Sequence, residues 1–254
     1  MTRFIKRLLF KFLGQKNYLK TMHVFFFFFY KLGVLKGNHL FKYHYFVPKL
    51  VKEGDYVVDI GANLGYFSKI FSSVVGKTGK VVCIEPVKPF YETLVWGLKN
   101  KKNCAIHNYA LGLENKSIEM VLPKMNGDFR TGLAHISKKE IDKSNYYSFD
   151  VEMVKGSELL LQLEKIDYIK CDIEGYEEFV IPEIKEVLIK FKPIVQIELD
   201  GEHKQTIIDL FLEVGYVLYG VYDGKLIKDF SNITEEGDLL FIHSTKEKEV
   251  LQGI

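Results

Sequence analysis

The sequence predicts an α/β domain built on a mostly parallel sheet with crossover helices and an antiparallel C-terminal edge. Three observations predict it. From Asp55 onward, short β-branched runs alternate with longer amphipathic ones, the pattern of strands joined by crossover helices. The first run ends in a glycine-punctuated turn, "VVDIGANLGYFS" at residues 57 to 68, that leads straight into an apolar helical segment. At 254 residues and 47% apolar content, the chain can bury one full-sized core, which favours a single main domain with an appendage.

The strand signals are, in order, "YVVDI", "KVVCIE", "CAIHNY", "IDYIKCDI", "PIVQIEL", "YVLYGVY" and "DLLFIH". Helices are predicted over 64–75, 88–100, 176–191 and 203–214. The Asp223-Gly224 turn followed by "DLLFIH" reads as an antiparallel edge pair. Between residues 115 and 155 the pattern loosens into a polar stretch with Gly127 and Gly132, read as a β-hairpin plus an irregular substrate-facing loop. The chain divides into a basic, aromatic-rich helical segment over 1–52, the main domain over 53–246, and a short tail over 247–254.

The overall charge of +2 hides an asymmetry. Residues 1–52 carry 11 Lys or Arg and no Asp or Glu, leaving 24 basic against 33 acidic residues in the remainder. The opening "MTRFIKRLLFKFLG" places Phe4, Ile5, Leu8, Leu9, Phe12 and Leu13 on a helical stripe beside Arg3, Lys6, Arg7 and Lys11, ending at Gly14. Such a helix suits two situations: residues 1–22 lying in an anionic membrane interface, or the stripe packing on the domain with its cations solvated. The run "VFFFFFYKLGVL" is broken by Lys31 and falls short of the ~20 residues a bilayer crossing needs. Its phenylalanines are expected to line a helix packed over the main domain or its active site. Lys11, Lys16 and Lys20 interrupt any secretory signal, so a cytoplasmic protein is expected, associated at most with the inner membrane face. Cys83, Cys104 and Cys171 sit singly in apolar runs and read as buried thiols of a reducing compartment.

Three ligands compete for the glycine turn. A dinucleotide fold wants G-x-G-x-x-G; here Gly61, Asn63 and Gly65 are followed by Tyr66, a large side chain where helix and strand should meet closely. "VVGKTGK" imitates a P-loop, but its first glycine would fall at Phe71 and the segment leads into a strand. The remaining reading is the nucleoside site of a class I methyltransferase, whose cofactor S-adenosylmethionine has no pyrophosphate to cradle. Asp59 ends the first strand, and Asn63 replaces a glycine because Asn tolerates left-handed backbone angles. Glu85, 24 residues after Gly61 at the end of the second strand, is placed to accept both ribose hydroxyls. Asn108, in "HNYALG", is a candidate to read the adenine edge.

These segments resemble the FkbM family of S-adenosylmethionine-dependent methyltransferases, through "DIGANLGYFS", "IEPVKPFYETL", "NYALG", and above all "IDYIKCDIEGYEEFVI" followed by "KPIVQIEL". The resemblance implies a Rossmann-like class I methyltransferase domain with a seven-stranded sheet, and methyl transfer to a hydroxyl of a sugar or natural product, as in polysaccharide biosynthesis. It implies that Asp59, Gly61, Asn63, Gly65, Glu85 and Asn108 serve the cofactor, and it places the family's D-x-E-G element at Asp172, Glu174 and Gly175. The chain departs from the family in having "VKGSELL" where a Leu-Asp pair is common.

A hydroxyl acceptor lacks nucleophilicity, so a nearby base should take its proton. Asp172 and Glu174 are the leading candidates, with Asp172 also bordering the cofactor; capping of the next helix is the alternative role for both. His203, just after the fifth strand, ranks third, and His135 lies in the loose segment. Two neighbouring carboxylates are too few to predict a metal. The expected partners are a sugar, glycan or glycolipid acceptor and, through residues 1–22, an anionic membrane; no nucleic acid is expected. The rival functions are N-methylation of a small amine and a non-catalytic protein that binds a membrane or a glycan-assembly partner.

Overall fold

A computed structural model describes residues 3–124, 131–137, 142–199, 201–228 and 238–254. A long helix, α1 (Arg3–Lys31), opens the chain and α2 (Lys42–Phe46) follows it. The body then runs β1 (Tyr56–Ile60), α3 (Tyr66–Val74), β2 (Lys80–Ile84), α4 (Lys88–Leu98), β3 (Cys104–His107), β4 (Ala110–Gly112), β5 (Lys116–Pro123), β6 (His135–Ile136) and β7 (Tyr146–Lys155). It continues through α5 (Gly156–Leu160), β8 (Tyr168–Cys171), α6 (Glu177–Glu183), α7 (Lys185–Phe191), β9 (Ile194–Glu198), α8 (Lys204–Glu213), β10 (Tyr216–Tyr222), β11 (Lys225–Lys228), β12 (Asp238–His243) and α9 (Ser244–Gln252).

The main sheet has the order β11-β10-β12-β9-β8-β1-β2-β3, parallel from β3 to β9 and antiparallel beyond. It therefore has eight described strands where the sequence predicted seven. The Asp223-Gly224 turn closes a hairpin between β10 and the extra edge strand β11, while β12 enters the sheet between β10 and β9. The expected hairpin is the β5–β7 pair, which joins β4 and β6 in a separate four-stranded sheet. The stretch read as one strand over "CAIHNY" splits: β3 stays in the main sheet, and β4 crosses to the small one. The helix predicted over 176–191 is two helices. Pro182 has no N–H to donate to the preceding turn, and Ile184 leaves helical geometry at φ −92° and ψ 16°. Residues 244–252 form a helix that runs across the predicted boundary at 247.

Buried aliphatic side chains line both faces of the main sheet. Ile60, Ile169, Val195 and Phe241 pack with helices α6 to α8 on one side, and Val57, Val81, Phe71 and Leu240 with α3 and the segment around α2 on the other. The predicted stop at Gly14 is a sharp turn at φ 66° and ψ 166°, after which helical geometry resumes. The inner face of α1 packs against α4 and α3, with Tyr18 and Leu19 buried beside Leu64, Val87 and Phe90. His23 pins this contact. Its Nδ1 lies 2.7 Å from the Leu64 carbonyl and its Nε2 lies 3.2 Å from Lys69 Nζ, so the ring donates to the first and accepts from the second. Burial pulls its pKa down to about 4, which keeps this ring neutral. Gly97 on α4 makes room, since a Cβ there would stand 2.4 Å from the His23 ring. The phenylalanine run is divided: Phe26 and Phe27 are buried over Ile70, while Phe25, Phe28 and Phe29 face outward. The expectation that all five line a packed face is therefore corrected.

Candidate active site

Parallel register brings four strand ends to one edge. Ile60 pairs with Ile84 on β2 and with Cys171 on β8, and Cys171 pairs with Ile197 on β9. The residues that follow, Gly61, Glu85, Asp172 and Glu198, thus lie side by side at the carboxyl edge, where an open α/β sheet meets its ligands. They line a cavity of about 880 Å³. The small sheet, through Met120, His135 and Tyr146, and the short turn before β6, through Thr131, supply further lining residues.

The turn after β1 has the backbone its sequence requires. Gly61 (φ 79°), Asn63 (φ 51°) and Gly65 (φ 82°) all occupy the left-handed region, and Asn63 bears it as the non-glycine residue suited to it. Gly61 is needed on a second ground: a Cβ there would stand 1.9 Å from the carbonyl oxygen of Asp172. Glu85 is 4% exposed, and its carboxylate accepts the N–H groups of Asn63 and Val87, each at 2.8 Å. Burial pushes its pKa up to about 8 against the pull of those two hydrogen bonds. The Asn63 amide donates to the Thr131 carbonyl at 3.1 Å, fastening the small sheet to the turn.

The other predicted cofactor residues stand behind this surface. Asp59 is 1% exposed and accepts a 2.5 Å hydrogen bond from the Ser68 hydroxyl, which fixes the start of α3. Gly65 is the N-cap of that helix. Asn108 is not among the cavity-lining residues; its amide donates to the carbonyls of Glu85 and Pro86 at 2.9 and 2.8 Å, supporting the loop that carries Glu85. The adenine-edge reading of Asn108 finds no geometric support.

On the acceptor side, Asp172 and Glu174 both line the cavity. The helix α6 has no side-chain cap hydrogen bond at its N-cap, Tyr176; Glu177, in its first turn, accepts the N–H groups of Ile173 at 2.7 Å and Gly175 at 2.9 Å in the turn that precedes the helix. Asp172 is paired with Lys170 at 2.8 Å, and that ammonium is 2% exposed and lies 4.8 Å from the centre of the Phe67 ring. Burial opposes the charge on Lys170, yet the carboxylates of Asp172, Asp59 and Asp238 together raise its pKa above the ordinary range. Burial likewise pushes Asp172 up, but the Lys170 ammonium and its hydrogen bond hold that carboxyl below its usual value.

Glu198, which sequence reasoning passed over as a functional residue, stands beside Asp172 at this edge, close enough for each carboxyl to act on the other. Burial, then the charges of Asp172 and Asp238, push its pKa up to about 8, so at neutral pH Glu198 carries the proton of the pair. The signal was present in "PIVQIEL": a carboxylate ending a strand whose neighbour ends in another. His203 stands in an adjoining cleft with its Nε2 3.1 Å from a Glu178 carboxylate oxygen, and is absent from the main cavity's lining. Among the described residues, no group of three or more His, Cys, Asp or Glu is arranged to hold a metal ion.

The residues present fit S-adenosylmethionine. Gly61 gives a turn without side chains beside the strand end, Glu85 retains lone pairs for hydroxyl donors, and the buried Oδ1 of Asn63 has no hydrogen-bond partner among the described residues. With the third glycine of a pyrophosphate site replaced by Tyr66, fold and site together are those of the class I fold that holds S-adenosylmethionine. Residues 59–218 match the family model of the methyltransferase FkbM domain. The chain belongs to that family, and its cofactor is S-adenosylmethionine.

The chain is similar in fold to the crystal structure of methyltransferase FkbM from Methylobacillus flagellatus KT, at 16% identity and a TM-score of 0.52 over 80% of this chain and 48% of that one. A similarity at 11% identity and a TM-score of 0.46 links 76% of the chain with 68% of Aeropyrum pernix fibrillarin, a structure with bound S-adenosyl-L-methionine. Over 66 residues the chain is 38% identical to a protein-L-isoaspartate O-methyltransferase of Methanosarcina mazei, spanning about a quarter of that relative's length.

Proposed function

We propose that the protein is an O-methyltransferase acting on a hydroxyl of a sugar, glycan or glycolipid. One observation carries the reading: Glu85, Asp172, Glu174, Glu178 and Glu198 line a single cavity whose near wall is the nucleoside turn. A polyhydroxylated acceptor offers many O–H donors, and carboxylates are the acceptors that orient them. When bound, the cofactor supplies a methyl group on a positively charged sulfur, itself a good leaving group. What the protein must add is alignment and a proton acceptor.

In this reading Glu198, once ionised, takes the acceptor's hydroxyl proton. With the cofactor held by Glu85 and the Gly61 turn, the acceptor oxygen would take its methyl group and the electron pair of the carbon–sulfur bond would remain on sulfur. Asp172, kept ionised by Lys170, and Glu174 hold the acceptor's remaining hydroxyls. Glu85 accepts the two ribose hydroxyls and Gly61 lets the cofactor lie against the strand end. His203, turned toward Glu178 in the next cleft, takes no part in proton transfer.

The test has two stages. Titration with S-adenosylmethionine should show tight binding that Glu85→Ala weakens by at least tenfold, since it removes two hydrogen bonds of about 0.5–1.5 kcal/mol each and leaves both ribose hydroxyls without their partner. Labelled cofactor should then transfer methyl to a hydroxyl in fractions of polysaccharide, glycolipid or sugar metabolites. An N-methylated product would favour an amine acceptor held by the same carboxylates as an ion pair. Equal affinity in wild type and Glu85→Ala would refute the assignment of the ribose site.

A further inference from the structure

We propose that the outward face of α1 and the segment after it docks on an anionic lipid bilayer. Each half of the bent helix separates its apolar residues by position. Before Gly14, Leu9, Phe10 and Leu13 pack inward, while Phe4, Ile5, Leu8 and Phe12 fall within a 100° arc and are exposed. After Gly14, Leu19, His23, Phe26 and Phe27 are buried, and Val24, Phe25, Phe28, Phe29 and Leu32 share the opposite face, also exposed.

The inner contacts already satisfy the packing of α1 on the domain, so the outer stripes are surplus to the fold. Two lines of evidence name the occupant. Contiguous exposed aromatic and aliphatic side chains mark a surface that meets another apolar phase. The charges beside them are all of one sign, since exposed Arg7, Lys11, Lys16, Lys31 and Lys36 lie on the same segment and residues 1–52 contain no acid.

Phenylalanines that dip into the acyl boundary while lysines and arginines reach anionic head groups are the two components of interfacial helix binding. No described helix is long and apolar enough to cross a membrane, so attachment is at the surface. The inner face of the same helix packs against Val87 and Phe90, which also line the cavity. Docking therefore holds the cavity about one helix diameter, roughly 10–12 Å, from the lipid surface.

The experiment is flotation of the full chain with vesicles of phosphatidylcholine alone and with 30% phosphatidylglycerol, beside sedimentation analysis without lipid. The expected result is binding to anionic vesicles at least tenfold tighter than to neutral ones. Phe25→Ser/Phe28→Ser/Phe29→Ser should weaken that binding at least tenfold. Arg7→Glu/Lys11→Glu/Lys16→Glu should weaken it by more than a hundredfold, at roughly fivefold per cation lost. All these residues are exposed, so both variants should keep wild-type thermal stability and S-adenosylmethionine affinity. The proposal is overturned if wild type ignores anionic vesicles, if neutral vesicles bind equally, or if the phenylalanine variant binds as wild type does. It is also overturned if wild type is a dimer that ignores vesicles and the phenylalanine variant is a monomer, which would make this face an interface between copies.

Discussion

Replacing Lys170 with methionine tests the electrostatic centre of the site. The ammonium is 2% exposed and bonded to Asp172 at 2.8 Å, with Asp59 and Asp238 also acting on it. Methionine fills a similar volume without the charge, so Asp172 is left buried beside other carboxylates. Removing one member of a buried ion pair costs about 3–5 kcal/mol, and a domain of this size loses about 2–4 °C of Tm per kcal/mol, giving a fall of about 6–20 °C near pH 7.

The loss should depend on pH. In the wild type Asp172 has a folded-state pKa below its ordinary value, so its contribution is present above the unfolded value near 3.8 and is lost as pH falls through the folded one. In the variant both Lys170 contributions are gone and burial outweighs the smaller pull of Glu198 and His44, raising that pKa, so the Asp172 contribution is present in acid and is lost as pH rises through the new value. The stability gap is therefore widest at neutral pH and narrows toward pH 4. Urea unfolding of both proteins across pH 4–8 measures it. A Tm within 2 °C of wild type at pH 7, or a gap that stays constant with pH, would refute the argument and reduce Lys170 to packing.

Two further predictions concern neighbouring groups. Glu198→Gln should lower kcat by about 10²–10⁴-fold, the range for a lost general base, with KM little changed. Wild-type kcat should rise with pH toward an apparent pKa of about 8, because the ionised form is the active one, and persistence of that limb in the variant would assign it to another group. Gly61→Ala should cost at least about 2 kcal/mol, from a left-handed alanine and a Cβ 1.9 Å from the Asp172 carbonyl. It should also abolish cofactor binding; a crystal structure of the variant with β1 and β8 undisplaced would contradict this.

What could be read in the sequence was local. The glycine turn, the left-handed Asn63 and the acid ending β2 all follow from spacing along one short stretch, and all three line the cavity. Asp172 and Glu174 were legible as strand-end carboxylates, because the edge of a parallel sheet is fixed by strand direction alone. Glu198 ends β9 in the same way and was passed over; what no local pattern encodes is its partnership with Asp172, which depends on the register between β8 and β9. Asn108 and His203 were placed at the correct edge, but their polar groups turn to the Glu85–Pro86 carbonyls and to Glu178. The eighth strand escaped notice because "KLIK" is short and half-exposed. Helical periodicity in the phenylalanine run does separate Phe26 and Phe27 from the other three, although composition drew attention to all five together.

The hydrogen bond from Asn63 to the Thr131 carbonyl joins two parts of the molecule that answer to different demands. Strand ends of the main sheet make the floor, where the geometry of a methyl donor tolerates little change, whereas the insertion between β4 and β7 makes the roof. On the proposed function, a new acceptor would be accommodated by remodelling that roof, leaving the floor and its carboxylates as they are. The Asn63 amide is one link between the two and helps hold the roof in register with the turn, so on the proposed function relatives that take different acceptors should differ most between residues 113 and 146 and least around residue 63.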